Sequence, residues 1–156
     1  MKPNIEISDK NRQGVADVLN TLLADEYVLY TKTRNAHWNI TGSNFMELHK
    51  FFEGQYEALD EIVDRVAERV RSIGHYSLGS LKDFLEITRI SEGEALSVQK
   101  NAIQSLLQSH ETIIRNARKD IATVGDKYKD SGTADFITGI MEEHEKTAWM
   151  LRSYLE

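Results

Sequence analysis

The 156-residue sequence has no cysteine, one proline and nine widely spread glycines. The absence of cysteine excludes a disulfide-stapled scaffold, and the scarcity of turn residues argues against a fold of many short strands. No apolar run approaches the roughly 20 residues that cross a bilayer, and the opening MKPNIEISDK lacks the apolar core of a signal peptide. We expect one cytoplasmic domain over residues 1–156, with no membrane contact and a tail of about eight residues before the first helix.

Positive charge is also in short supply, and the formal net charge is −6 at pH 7. Proteins that grip nucleic acid through counterion release concentrate lysine and arginine on one surface. In the first residues of this chain Lys2, Lys10 and Arg12 alternate with Glu6 and Asp9. The sequence therefore predicts weak or absent DNA binding.

Apolar residues at helical spacing predict four long helices and one short one. The first helix is capped by Ser8 or Asp9 and ends near residue 38. The second begins at about Asn44, which has a capping-box spacing with Glu47, and Gly74 is a suitable stop after it. A short loop between these two helices predicts an antiparallel hairpin.

A longer connection follows, with a short helix over about residues 81–86 capped by Ser80. The third long helix is predicted to open with the capping box Ser91–Glu94 and to carry Leu96 in its apolar stripe. After the polar loop DKYKDSGT, the last helix starts near Thr133. The predicted fold is all-α: a ferritin-like four-helix bundle with a short extra helix between helices two and three.

The second helix carries an unusually uniform polar face. On a helical wheel, all acidic residues between His49 and Glu68 fall within one third of the circumference. A solvated face is the simplest interpretation, but such faces usually mix lysine with glutamate to gain ion pairs. These residues are Glu53, Glu57, Asp60, Glu61, Asp64 and Glu68. Crowded carboxylates of one sign repel each other, and a bound cation would relieve them.

Two histidines point to the nature of that cation. His37 lies near the end of the first helix and His49 near the start of the second, so the hairpin brings them close. His49 and Glu53 stand four residues apart and can share a metal ion, since imidazole and carboxylate both suit iron or zinc. A structural role for the two histidines is the alternative. The remaining histidines show no comparable partners and are interpreted as structural: His75, His110 and His144.

The length of the acidic face limits what one chain can build. Glu53 and Asp64 are eleven residues apart, about 16 Å along a helix, whereas the metals of a dinuclear site lie about 3.5 to 4 Å apart. A two-fold dimer with antiparallel second helices would place His49 and Glu53 of one chain against Asp64 and Glu68 of the other. The sequence thus predicts metal sites shared between chains.

Residues 35–74, NAHWNITGSNFMELHKFFEGQYEALDEIVDRVAERVRSIG, resemble the signature of the Dps family, the mini-ferritins named as DNA-binding proteins from starved cells. The family pattern is a His-Trp pair, a His twelve residues later, an acidic residue four beyond it, and Asp-x-x-x-Glu-Arg. The matching positions are His37, Trp38, His49, Glu53, Asp64, Glu68 and Arg69. Many members have Asp where this chain has Glu53, a change in reach but not in ligand type.

The resemblance implies a shell of twelve identical subunits that oxidises Fe(II), preferentially with hydrogen peroxide, and stores ferric mineral. Its ferroxidase ligands would be His37, His49 and Glu53 from one chain, with Asp64 and Glu68 from its neighbour. Zn(II) is expected to compete for such a site. Trp38 would be either a sacrificial electron donor or an aromatic packed at a helix end. We interpret Trp149 as core or interface packing.

The resemblance also implies iron-entry pores lined by Asp126, Asp130 and Asp135, although the first two could be plain loop residues and the third a favourable first-turn acid. Glu57 and Asp60, with Glu61, are candidate mineral-nucleating carboxylates.

The alternative function is that of a nucleoid protein acting mainly by DNA binding, with nucleoid association as its consequence. A structural assembly with a vestigial site is disfavoured because every ligand position is filled.

Overall fold

A computed structural model gives the fold and describes residues 3–93 and 97–156. All its regular elements are helices, as predicted, and the described residues contain no strand beyond one isolated bridge between Thr41 and Val98. The helices are α1 (Asp9–Asn39), α2 (Phe45–Ser72), α3 (Leu81–Ile87), α4 (Gln99–Ala122), a π-helical turn (Thr123–Lys127) and α5 (Ser131–Ser153).

The first hairpin begins with the longest helix, α1, which has 31 residues. The predicted cap forms: the Ser8 hydroxyl oxygen accepts a hydrogen bond from the Asn11 amide at 3.2 Å. Leucines on the inner face of α1, including Leu19, Leu22 and Leu29, are fully buried. α1 therefore contributes the central wall of the core.

α2 runs back along α1 after a short turn. Its inner face buries Leu48, Phe52 and Val66, and Gly74 follows its end at φ +90°, where a side chain would collide with Pro3 and Arg12. The predicted capping box at its start is wrong. Asn44 is the N-cap residue, but its side chain makes no capping hydrogen bond.

The crossover between the hairpins is attached to α1 by buried charge. α3 is capped by Ser80 as predicted, with 3.2 Å from the Asp83 amide nitrogen to the Ser80 hydroxyl. Just beyond it, Arg89 bonds the fully buried Asp25 carboxylate through Nε at 2.8 Å and Asp120 through Nη1 at 2.9 Å. Burial alone would lower the pKa of Arg89, but the two carboxylates raise it above its ordinary value. Arg89 thereby links α1, the crossover and α4.

α4 begins later than predicted. Ser91 and Gly93 are not helical, and the helix starts at Gln99; Glu94 and Leu96 lie outside the described residues. The crossover is held extended along α1, because the buried Lys32 ammonium donates to the Ser91 carbonyl at 2.8 Å. A capping-box spacing cannot start a helix where the chain must still cross the end of the bundle.

The loop predicted between the last two helices is largely ordered into helix. α4 continues into the π-helical turn, Lys129 adopts a positive φ of 59°, and Asp130 caps α5. α5 therefore starts at Ser131, two residues before the predicted Thr133.

The four long helices pack as two hairpins, α1 with α2 and α4 with α5. α1 also packs against α4, whereas α2 and α5 approach each other at few points. This arrangement confirms the predicted four-helix bundle with a crossover. None of the described helices combines the length and apolar character needed to cross a membrane.

Replacing Arg89 with Met should destabilise the fold by about 3 to 5 kcal/mol, because Asp25 would remain buried without its cation. The matched control is Arg118→Met, which removes an exposed pair with Glu145 and should cost less than about 1 kcal/mol. Chemical denaturation of the two variants measures the difference. Equal losses would show that the Arg89 network does not hold the crossover.

Candidate metal centre

His37 and His49 meet where α1 ends and α2 begins. Their rings stack with centroids 3.8 Å apart and planes inclined by 20°. Nδ1 of His37 lies 2.8 Å from the main-chain oxygen of His49, and Nδ1 of His49 lies 2.9 Å from the main-chain oxygen of His37. The hairpin therefore brings the two histidines together, as the sequence predicts.

These reciprocal hydrogen bonds determine which ring nitrogens are available. A carbonyl oxygen can only accept, so Nδ1 must carry the proton on both rings. In a neutral imidazole the Nε2 atom then keeps its lone pair, and no described residue bonds to Nε2 of His37 or His49. Metal-binding histidines are commonly oriented in this way by a carbonyl on the second nitrogen.

Aromatic rings surround the pair. Phe45 lies against His49 at a centroid distance of 5.0 Å, and Tyr56 meets His37 edge-on at 5.2 Å. The Arg34 guanidinium lies 4.8 Å from the Tyr56 ring centroid and 5.0 Å from that of Trp38. The contacts from Phe45 and Tyr56 therefore hold the two imidazole rings in place.

Neither tryptophan is buried. Trp38 is 62% exposed, so its contact with Arg34 is at the surface and not in the core. Trp149 is 60% exposed, which makes the core half of its predicted role wrong and leaves the interface role as a prediction. Both tryptophans are exposed because they lie on the outer sides of their helices.

The acidic face of α2 is as one-signed in three dimensions as on the helical wheel. Glu53 is half-buried, while Asp64 and Glu68 are exposed. None of the six acidic residues of this face belongs to an ion pair formed within residues 3–93 and 97–156. Apart from the attraction between the Arg34 guanidinium and Asp60, no ion pair of the described residues offsets their mutual repulsion.

Glu53 does not complete a three-ligand group with the histidines. Among the described residues, no three His, Asp or Glu side chains are placed to hold one metal ion. The His49 ring is held toward α1 by its bond to the His37 carbonyl. The structure brings the two histidines together, and the participation of Glu53 in the same metal site stays a prediction.

The three candidate pore residues have different environments. Asp126 and Asp135 are exposed, but Asp130 is only 4% exposed. The Asp130 carboxylate accepts hydrogen bonds from the Thr133 amide at 2.9 Å and the Thr133 hydroxyl at 2.6 Å, and lies 3.6 Å from Arg69. Asp130 thus caps α5, and its carboxylate oxygens are already bonded to Thr133 and close to Arg69.

Sequence reasoning missed a polar cluster inside the bundle. His110 and His144, interpreted as lacking partners, lie with their Nδ1 atoms 2.8 Å apart. Nε2 of His144 lies 3.0 Å from Oε1 of Glu26, and all three residues are buried. The available signal was the pair Asp25–Glu26 within the apolar stripe of α1, since charged residues there need partners.

Comparison with known proteins places this fold in a family. The Ferritin-like domain family matches residues 16–156. A low temperature-induced protein of Nostoc sp. is 46% identical over 98% of this chain and 86% of its own. DNA protection during starvation protein 2 of Bacillus anthracis is 34% identical over 93% of this chain and 98% of its own.

Among solved structures, the Dps protein from Vibrio cholerae O1, described as a member of a broad superfamily of ferritin-like diiron-carboxylate proteins, matches with a TM-score of 0.93. It is 30% identical, and the match covers 99% of this chain and 97% of that one. The chain described here belongs to the ferritin-like family and, within it, to the Dps proteins.

Proposed function

We propose that this protein oxidises Fe(II), preferentially with hydrogen peroxide, and stores the ferric product in a shell of twelve subunits. The observation that carries the proposal is the histidine pair: both Nε2 atoms are unbonded among the described residues, and the acidic face that begins beside them forms no ion pair within the same part of the chain. Family membership supports iron as the substrate, since the Dps structure from Vibrio cholerae is described as ferritin-like and diiron-carboxylate.

The donor set suits Fe(II). Neutral imidazole and carboxylate oxygen form a mixed N/O environment that divalent iron accepts and that does not exclude Zn(II), so zinc should inhibit. The main-chain carbonyls hold His37 and His49 in their metal-binding tautomer before iron arrives.

The site is proposed to lie between two chains. Along the continuous α2 helix, Glu53 and Asp64 are about 16 Å apart, too far for a dinuclear centre. An antiparallel two-fold contact would bring Asp64 and Glu68 of the partner subunit to His37 and His49. Glu53 would hold the tighter iron together with His37 and His49, and the partner's carboxylates would complete or bridge the second position.

The proposed chemistry balances with two irons. Each Fe(II) gives one electron, and together they reduce one hydrogen peroxide, with two protons, to two water molecules. Paired delivery avoids the one-electron cleavage that releases hydroxyl radical, and this would protect nearby macromolecules. For Trp38 we assign no redox role, because the Arg34 cation over its ring opposes a cationic radical there.

DNA binding as the main function has less support. The names of several relatives refer to DNA protection, but the formal net charge of this chain is −6, and phosphate is bound by concentrated positive charge. Protection by removal of iron and peroxide requires no contact with DNA.

Fe(II) oxidation followed optically, with peroxide or dioxygen as oxidant, tests the activity. Asp64→Asn should slow the initial rate at least about tenfold, because the neutral amide is a weaker ligand. Glu142→Gln, which also neutralises an exposed carboxylate but lies on α5, is the control and should keep the wild-type rate. Wild-type oxidation no faster than buffer with either oxidant would remove the proposed function.

Complementation tests the shared site. His49→Ala and Asp64→Ala should each inactivate both sites of a dimer, yet a mixed dimer would hold one intact site. Random co-refolding at equal amounts should therefore restore about a quarter of all sites under two-fold symmetry. The measurement is Fe(II) oxidation by the co-refolded mixture, with each variant refolded alone as control. Mixed shells, verified by mass, that are no more active than these controls would rule out sharing between chains.

A third experiment concerns iron entry. Asp126→Asn together with Asp135→Asn should slow iron uptake at low Fe(II) and low salt, because exposed carboxylates around a pore raise the local cation concentration. Asp130→Asn should instead lower the unfolding temperature, since that carboxylate is a buried cap. An uptake rate unchanged by the double substitution would contradict the pore role.

A further inference from the structure

A cavity of about 420 Å³ lies between α2 and α5, where these two helices make few contacts. Its walls include apolar side chains from both helices, among them Phe51, Leu59 and Met150. Gln55 from α2 and His110 from α4 also line it. A concave, mostly apolar space with a few polar groups has the general character of a small-molecule site.

Lys50, Glu143 and Lys146 line the exposed part of this cavity, whereas two of its polar side chains are buried. Gln55 is 8% exposed and His110 is 2% exposed. Both amide atoms of Gln55 and Nε2 of His110 have no hydrogen-bond partner among the described residues. Nearly all buried polar atoms in proteins are paired, so three such atoms around one cavity need a partner from outside the chain.

The chain of bonds behind His110 determines what its Nε2 offers. Glu26, His144 and His110 are linked in series, and a buried cluster is least costly without net charge. Only one proton fits between the two Nδ1 atoms, so one imidazole donates to the other. Burial, and secondarily the charge of His144, holds the pKa of His110 well below its ordinary value, so His110 keeps one proton. Nε2 of His110 is therefore a donor where its Nδ1 accepts from His144, and an acceptor where its Nδ1 donates.

We propose that the α2–α5 cavity binds a small, neutral, planar molecule in which a carbonyl stands beside an N–H, such as a carboxamide or lactam on an apolar ring. The ligand carbonyl accepts from the Gln55 amide N–H, and Nε2 of His110 meets either the second lone pair of that carbonyl or the second N–H of a primary carboxamide, according to its tautomer. The ligand N–H donates to Oε1 of Gln55. The apolar walls take the ring.

Other occupants fit the cavity less well. A metal ion lacks ligands, because no three His, Asp or Glu side chains among the described residues are placed for one. A carboxylate could pair with Lys50 and Lys146, which also line the cavity, but it has no proton for Oε1 of Gln55. The Gln55 amide, with a donor and an acceptor both unpaired, therefore selects an amide. This site is separate from the histidine pair and does not depend on the proposed iron chemistry.

Titration calorimetry of the assembled full-length protein with benzamide tests the proposal. We expect saturable binding of one benzamide per chain at millimolar concentration or below. Benzoate and ethylbenzene are the matched probes: one lacks the N–H donor and the other lacks all polar atoms. Both should bind at least about tenfold more weakly. Equal affinity for the three probes, or no benzamide binding, would overturn the proposal.

Variants connect the binding to the named atoms. Gln55→Leu and His110→Phe should each weaken benzamide binding at least about tenfold. Gln104→Leu makes the same change at an exposed position of α4 and should leave it unaltered. If His110→Phe does not assemble, Gln55→Leu decides alone.

The stability of the Gln55→Leu variant distinguishes a ligand-binding role of Gln55 from a purely structural one. Removing a buried amide that has no partner in the chain should leave the unfolding temperature unchanged or raise it, although ligand binding is lost. Lower stability together with unaltered benzamide affinity would show that Gln55 serves only the fold. A crystal structure grown with benzamide that holds only ordered water in the cavity would likewise refute the site.

Discussion

The two hydrogen bonds across the α1–α2 turn tie the orientation of two imidazoles to the register of the hairpin. Each bond joins the ring nitrogen of one histidine to the main-chain carbonyl of the other, so neither ring can turn without movement of a helix. α1 and α2 are held in that register by a fully buried interface that includes Leu29 and Phe52. Packing energy distributed over the whole hairpin therefore maintains the position of two nitrogen atoms at its end.

Acidic residues of this bundle divide into two classes with different consequences. Those inside are matched within the chain: Asp25 by Arg89, and Glu26 by His144. Those along the outer face of α2 have no such counterions in the described chain, and water screens them only in part. A carboxylate neutralised by its own chain supports the fold, whereas an unneutralised row retains its attraction for cations. Whether a carboxylate has an ion-pair partner, more than how many acidic residues there are, therefore distinguishes structural from functional charge in this bundle.

The sequence was a good guide wherever the physical cause was local. Ser8 and Ser80 cap their helices as predicted, because a serine hydroxyl needs only a backbone amide three residues away. Asn44 and Ser91 have equally good capping-box spacing, yet neither prediction is correct. Asn44 lies at φ −97° and ψ 25° with no side-chain capping bond, and Ser91 is bonded through its carbonyl to Lys32 of another helix. In these two places the path of the chain through the bundle overrode the local signal.

Periodicity and spacing in the sequence alone determined the helical class, the pairing of α1 with α2, and the approach of His37 to His49. Tertiary structure alone decided that both imidazoles present Nε2 and that Asp130 is a buried cap. It also decided the link from Glu26 to His144, which joins residues 118 positions apart. Such a contact depends on how four helices pack side by side, and short-range patterns contain no information about which polar side chains will face one another across the core.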